Sequence, residues 1–359
     1  MTATRSRRPT SLERRIAIRV VLLILAGISL YLLAPSLLQI FSSWPELREL
    51  NPLWLGLAVL FEAMSSLAFW TLQRIALRTR SWFAVGTSQL ASGAFGRVVP
   101  GGSAAASALQ FSMLVRSGIP AQTVASGLAA SWAATTATVL ALPVVAVVNA
   151  IGGTAVPHGL RNVAYLGGGA FFLLVAAGVA AFAWDRPLRL VGRGVAAAMG
   201  LIGRRDRAEG LPDRLLQQRD ALRRAFASRP WLAVLAAIGK WGFDYAALLC
   251  VLAALSLEPD PALVLLAYAA SSILGMIPLT PGGLGFVEAG LAALLVLAGV
   301  NAGDAAVATL AYRLVSFWLP LPAGVVAWWL ARRRYGPPAP EVSAASTSSS
   351  SSDAATSPP

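Results

Sequence analysis

The sequence predicts an all-α, polytopic membrane helical bundle with two inverted repeats, each holding a Pro-Gly-Gly re-entrant or broken-helix hairpin. Three observations predict it. Of the 359 residues, 57% are hydrophobic and 13% charged, and the mean hydropathy is +0.67, a balance no soluble core and surface would have. Long apolar runs alternate with arginine-rich connections. A Pro-Gly-Gly triplet occurs twice inside apolar sequence, at 100–102 and again 181 residues later at 281–283. In lipid an unpaired peptide group costs several kcal/mol, so a broken helix there implies a protein-lined or watery cavity. A plain hairpin turn is the competing reading.

Residues 1–19 hold six arginines and form a basic cytoplasmic N-terminus. Residues 20–40 read as the first span; a cleaved signal peptide competes, but the run is long and has no clear small-x-small site. A second span, 52–73, ends at Arg74, Arg78 and Arg80. Arginines on these two flanks place the N-terminus and residues 74–82 in the cytoplasm. Spans near 124–149 and 163–184 lead into residues 185–229, a cytoplasmic loop with eleven arginines against five acids. The hairpin 83–117 must therefore leave the cytoplasm and return to it. Its arms, 83–96 and 103–116, fall short of the roughly 20 residues of a full crossing. Residues 20–184 make the first membrane half.

The second half is 230–335. Its span 231–256 leads outward to Glu258 and Asp260, and its last span, 305–330, ends inside at Arg332-Arg333-Arg334. The hairpin 262–300 then starts and finishes outside, so the two hairpins enter from opposite faces, as in many transporters. At the 181-residue offset Leu114-Val115 falls on Leu295-Val296, and Gly118 on Gly299. Within the central loop Leu211, Leu215, Leu222 and Phe226 share a helical face, fitting an amphipathic helix on anionic lipid or a solvated basic loop. Residues 336–359 are Pro-, Ala- and Ser-rich and expected to be disordered. Trp54, Trp184, Trp231, Trp328 and Trp329 lie near span ends, as interfacial anchors do.

The net charge of +13 would suggest nucleic acid in a soluble chain; with arginines between apolar spans, the membrane surface is the partner and nucleic acid is not. One cysteine, Cys250, and one histidine, His158, exclude a disulfide framework and a Cys/His metal site. No phosphate-binding loop, nucleophile elbow or zinc-helix signature occurs, so neither catalysis nor a cofactor is expected.

Charges at bilayer depth cost roughly 2.5–3.5 kcal/mol each on insertion scales, so each needs a reason. Glu62 lies midway along the second span, Arg97 precedes the first Pro-Gly-Gly, and Glu288 follows the second. Lys240 and Asp244 stand i,i+4 on one span, and Arg313 lies inside the last. One reading pairs Glu62 with Arg97 and Glu288 with Arg313 as links between helices, with Lys240 and Asp244 neutralising each other. The other has Arg97 and Arg313, with Lys240 as a third candidate, holding a phosphate head group. Helix N-termini after Pro100-Gly101-Gly102 and Pro281-Gly282-Gly283 would then point N–H groups at it. Ser103, Ser107 and Thr280 are candidate hydroxyl contacts or caps.

With Gly96-Arg97 and Pro100-Gly101-Gly102 in one half, and Pro278-Leu279-Thr280-Pro281-Gly282-Gly283-Leu284-Gly285, Glu288 and Gly299 in the other, the chain resembles the flippase-like integral membrane family that includes the membrane domain of lysyl-phosphatidylglycerol synthases. The resemblance covers about residues 15–335. It implies a lipid flippase or transporter moving an anionic or aminoacylated phospholipid between leaflets of the bacterial cell membrane, both termini cytoplasmic. Monomer and homo-oligomer both stay open. The synthases carry a large transferase domain after the membrane part, whereas about 25 residues follow the last span here, so lysine transfer is not expected. Ser107 also stands where the second copy has Glu288, so the half-sites differ chemically. A membrane scaffold recruiting an enzyme through 185–229 or the tail, and an intramembrane lipid-modifying enzyme using Glu288 or Asp244 as base, are the alternatives.

Overall fold

The computed structural model describes residues 51–99, 102–153, 180, 184–201, 210–276 and 281–336. Residues 1–50, most of the 163–184 span, His158, Pro100, Gly101, 277–280 and the tail after 336 lie outside them. The described residues contain helices and connections and no strand. Four helices are long and apolar enough to cross a membrane: Pro52–Ala76, Ala121–Pro143, Pro230–Ala254 and Ala302–Tyr335.

In chain order the first half comprises α1 (Pro52–Ala76), α2 (Trp82–Val98), α3 (Gly102–Arg116) and α4 (Ala121–Gly153). Asn51 caps α1 by accepting from the Leu53 N–H at 3.0 Å, with Pro52 at the first position where no donor is needed. Ser81 caps α2 through the Ala84 N–H at 3.1 Å. After α5 (Asp185–Leu201) and α6 (Leu211–Phe226) come α7 (Pro230–Ala254), α8 (Pro261–Leu274), a 3₁₀ turn at Pro281–Gly283, α9 (Phe286–Leu297) and α10 (Ala302–Arg313). A π turn at Leu314–Trp318 joins α10 to α11 (Pro320–Tyr335). Asp260 caps α8 and Asn301 caps α10.

Helices α1 and α7 form the centre and run antiparallel. The Asn51 N–H donates to the Ala254 carbonyl at 3.5 Å, Ser65 Oγ donates to the Lys240 carbonyl at 2.8 Å, and Leu72 packs with Ala233, Ala236 and Ala237. Ala58, Ser65 and Leu72, seven residues apart, face this contact, while Leu53, Leu60 and Leu67 form an exposed apolar stripe suited to lipid. Small residues let the two backbones approach, as membrane helices require in the absence of a hydrophobic drive between them. The main core gathers Ala247, Leu248 and Val251 of α7, Val264 and Tyr268 of α8, Leu291 and Leu295 of α9, and Ala305 and Ala308 of α10.

The halves share their stops. Both short helices α3 and α9 end on a left-handed glycine, Gly118 (φ 94°) and Gly299 (φ 96°). At the first the N–H groups of Gly118 and Ile119 donate to Val115 and Leu114; at the second those of Gly299 and Val300 donate to Val296 and Leu295. That is one Schellman closure written twice, and Leu114 and Leu295 are both fully buried. Helices α1 and α7 likewise each span 25 residues, begin at a proline and stop on a left-handed residue, Arg78 (φ 50°) and Ser256 (φ 56°). Packing matches too: α2 lies against α3 and α11, and α8 lies against α9 and α4.

Two expectations change in detail. The last span is longer than 305–330, running from Ala302 to Tyr335 through the π turn. The basic connection holds two helices that pack together, where Arg219 bonds Asp185 at 2.6 Å and Asp220 at 2.9 Å. The hydrogen bond and charge of Arg219 hold the Asp185 carboxyl below its usual range. Phe226 of α6 packs with Leu72, Ala76 and Ala130, so that end of the amphipathic helix faces the bundle; the side chains of Leu211 and Leu222 lie outside the described residues.

Candidate functional site

The intramembrane charges predicted from sequence converge where the end of α2, the 281–283 turn, α9, α10 and the π turn meet α1 and α7. Arg97 is in the last turn of α2, where the helix dipole favours a cation, and Glu288 in the first turn of α9, where it favours an anion; Arg313 lies at the junction of α10 with the π turn, inside the continuous span.

Arg313 Nε donates to Glu288 Oε1 at 2.8 Å, and both side chains are mostly covered. Its second nitrogen donates to the Gly282 carbonyl at 3.1 Å, tying α10 to the second Pro-Gly-Gly turn. Arg97 makes no ion pair among the described residues; its Nη1 donates to the Phe317 carbonyl at 2.8 Å. Pro320 and Pro322 donate no backbone hydrogen bond, so carbonyls of the widened turn depend on other donors. Both guanidinium groups lie against the Phe317 ring, Arg313 at 4.5 Å and Arg97 at 5.3 Å from its centroid.

Gly282 explains how the turn comes so close. It takes φ 60°, and a Cβ there would stand 2.5 Å from the Phe317 ring and 3.2 Å from the Arg97 carbonyl oxygen. Only glycine fits this position. The structure therefore places the second Pro-Gly-Gly turn directly against the end of α2, the helix that leads into the first. Gly102 opens α3 and is buried against Gly96; Pro100 and Gly101 lie outside the described residues, as does the side chain of Pro281.

A second group adjoins the first through neighbouring residues Tyr312 and Arg313. Lys240 Nζ bonds Asp244 Oδ2 at 2.8 Å, and Tyr312 donates its hydroxyl to Asp244 Oδ1 at 2.6 Å. Glu62 lies within electrostatic reach of Asp244, Lys240 and Arg97, and its Oε2 is buried without a hydrogen-bond partner. Of the two pairings expected between helices, Glu288–Arg313 forms and Glu62–Arg97 does not come within ion-pair distance; Lys240 and Asp244 neutralise each other along their own helix. Ser107 donates to the Ser103 carbonyl of its own turn. Thr280 lies outside the described residues.

Tyr312 and Phe317 belong to the site and were not singled out from sequence. Their one sequence signal is position: Tyr312 adjoins Arg313, and Phe317 lies just ahead of the Pro320-Leu321-Pro322 run that loosens the backbone. Among the described residues no group of three or more His, Cys, Asp or Glu is arranged for a metal ion.

A UPF0104 membrane protein from Methanothermobacter thermautotrophicus is 44% identical over 57 residues, a stretch that covers 16% of this chain and 17% of that relative. The family model for the lysylphosphatidylglycerol synthase TM region matches residues 16–324, which takes in every helix of the site. The chain is therefore a member of the lysylphosphatidylglycerol synthase transmembrane-region family.

Proposed function

We propose that this membrane protein is a lipid translocase that moves an anionic or aminoacylated phospholipid between leaflets, holding the head group at the paired Pro-Gly-Gly turns while the acyl chains stay in lipid. The observation that carries the reading is the meeting of Arg97 and Arg313 on one aromatic ring beside the Gly282 turn. Glu288 is in direct contact with Arg313, and among the described residues no anion touches Arg97, whose guanidinium lies inside apolar helices. Such a charge is costly in lipid unless it meets an anion, and arginine's planar fork matches a phosphate. The N-termini of α3 and α9 follow the two triplets and add positive dipole ends to the same place. Among the described residues no group of acids is arranged for a metal ion, which disfavours metal-assisted lipid chemistry.

The architecture is that of an inverted repeat, α1–α4 against α7–α11, with re-entrant or broken-helix hairpins at 83–117 and 262–300. Support comes from the duplicated glycine closures, the matched packing and the antiparallel crossing of α1 with α7. Arginine placement along the sequence supports a plasma-membrane protein with both termini in the cytoplasm. The test is head-group translocation in proteoliposomes made with fluorescent phosphatidylglycerol. Arg97→Ala or Arg313→Ala should cut the initial rate by at least about tenfold, the equivalent of ~1.4 kcal/mol. Rates equal to the unsubstituted protein, with folding intact, would remove the head-group role.

A further inference from the structure

Six charged side chains gather in the apolar helices around the site, three acids and three bases: Glu62, Asp244, Glu288, Arg97, Lys240 and Arg313. Two pairs close directly, Lys240 with Asp244 and Arg313 with Glu288, each at 2.8 Å. Glu62 and Arg97 are left over. They do not pair: Arg97 spends a donor on the neutral Phe317 carbonyl, and Glu62 Oε2 has no partner at all. Protein atoms alone cover that oxygen, so it faces the bundle interior and not the lipid.

Glu62 sits at the crossing of the two central helices. Ser65, one turn on, bonds the backbone of Lys240, and Phe61 stacks on Phe243 with centroids 6.2 Å apart. The groups facing it are Lys240 and Asp244 from α7, Arg97 from α2, Tyr312 from α10 and Tyr268 from α8. Helix α4 and the π turn, which also pack on α1, contain no titratable side chain. Asp244 is held by a lysine and a tyrosine hydroxyl, and Glu288 by an arginine; the Glu62 carboxyl lies against that of Asp244, with no cation of the described residues in contact.

This leads to a charge argument that rests on the translocase reading. With the site empty, a Glu62 carboxylate offsets Arg97, which lies within its electrostatic reach. A phosphate monoanion settling on Arg97 would leave the cluster with one uncompensated negative charge in a low-dielectric interior, a costly state. Protonating the one carboxylate without a cation in contact removes it. We propose that Glu62 takes up a proton as a phosphate-bearing head group binds at Arg97 and gives it back on release, so that lipid movement is coupled to protons. The proton comes from water on the open face, the new bond is O–H on the Glu62 carboxyl, and the reverse occurs on the other face.

The test uses the full chain in detergent, with short-chain phosphatidylglycerol as probe and glycerol phosphate in a parallel arm. Calorimetry in two buffers of different ionisation enthalpy counts protons per probe bound. About one proton is expected, with affinity rising about tenfold per unit fall in pH across the linked window. Glu62→Gln should remove both the uptake and the pH dependence. An infrared difference spectrum of the unsubstituted protein should show a protonated carboxyl band on probe addition, which guards against a variant that fails to fold. Binding with no proton uptake, or uptake that survives in Glu62→Gln, overturns the coupling and leaves the translocase reading standing. No binding by the unsubstituted protein, or binding indifferent to Arg97→Ala, overturns both. Equal binding of glycerol phosphate assigns the site to a soluble phosphate ester and overturns the lipid half alone.

Discussion

Arg313 answers to two demands at once, a structural link to Glu288 and Gly282 and a positive charge beside Arg97. The two can be separated by substitution. Removing one member of a buried ion pair typically costs about 3–5 kcal/mol, because the survivor is left uncompensated. Replacing both by apolar residues of similar volume is often close to neutral. Glu288→Met alone should therefore lower the thermal midpoint in detergent markedly, and Glu288→Met with Arg313→Met should regain most of the loss. Transport should return in neither. A double variant that both folds and transports would mean Arg313 serves packing only. The charged residues were legible in sequence because any charge at bilayer depth demands a partner, which marked Glu62, Arg97, Lys240, Asp244, Glu288 and Arg313 in advance. Two pairings were legible as well, Glu288 with Arg313 and Lys240 with Asp244; that Glu62 and Arg97 stay apart was not, since that depends on helix rotation: Glu62 faces the α7 pair while Arg97 turns to a carbonyl.

Short elements carry the duplicated architecture, and their ends are where it can be probed. Gly118 and Gly299 take nearly the same left-handed φ, and a Cβ at either would meet nothing within 4 Å. Substitution there therefore reports backbone strain without steric interference. Alanine at either position should cost about 1–2 kcal/mol, and by similar amounts, read as thermal midpoints measured side by side. A large inequality would mean the two closures are not equivalent. Two helix lengths followed closely from the apolar runs: the arms expected at 83–96 and 103–116 are helices Trp82–Val98 and Gly102–Arg116. The π turn was not foreseen. An apolar run containing Pro320 and Pro322 still reads as one span, and only the α2 end packed against it shows where the extra carbonyl goes.

At the scale of the described residues, the 281–283 turn meets the end of α2, and α1 and α7 cross. Their antiparallel contact, from Asn51 against Ala254 to Leu72 against Ala233, is what a two-fold axis in the membrane plane requires. Charge counting along the sequence leads to the proposed inverted arrangement by a separate route, because arginines flank opposite ends of the spans matched in that proposal. The head-group site and its proton linkage both depend on the two glycine-closed corners, 117–119 and 298–300, lying on opposite sides of the bilayer. Thiol labelling measures that directly. With Cys250 replaced by alanine, single cysteines at Ser117 and Asn301 are exposed to a membrane-impermeant maleimide, first in intact cells and then after permeabilisation. The inverted arrangement predicts labelling of the Asn301 position in intact cells and of the Ser117 position only once the membrane is opened. Labelling of both from the same side would contradict it.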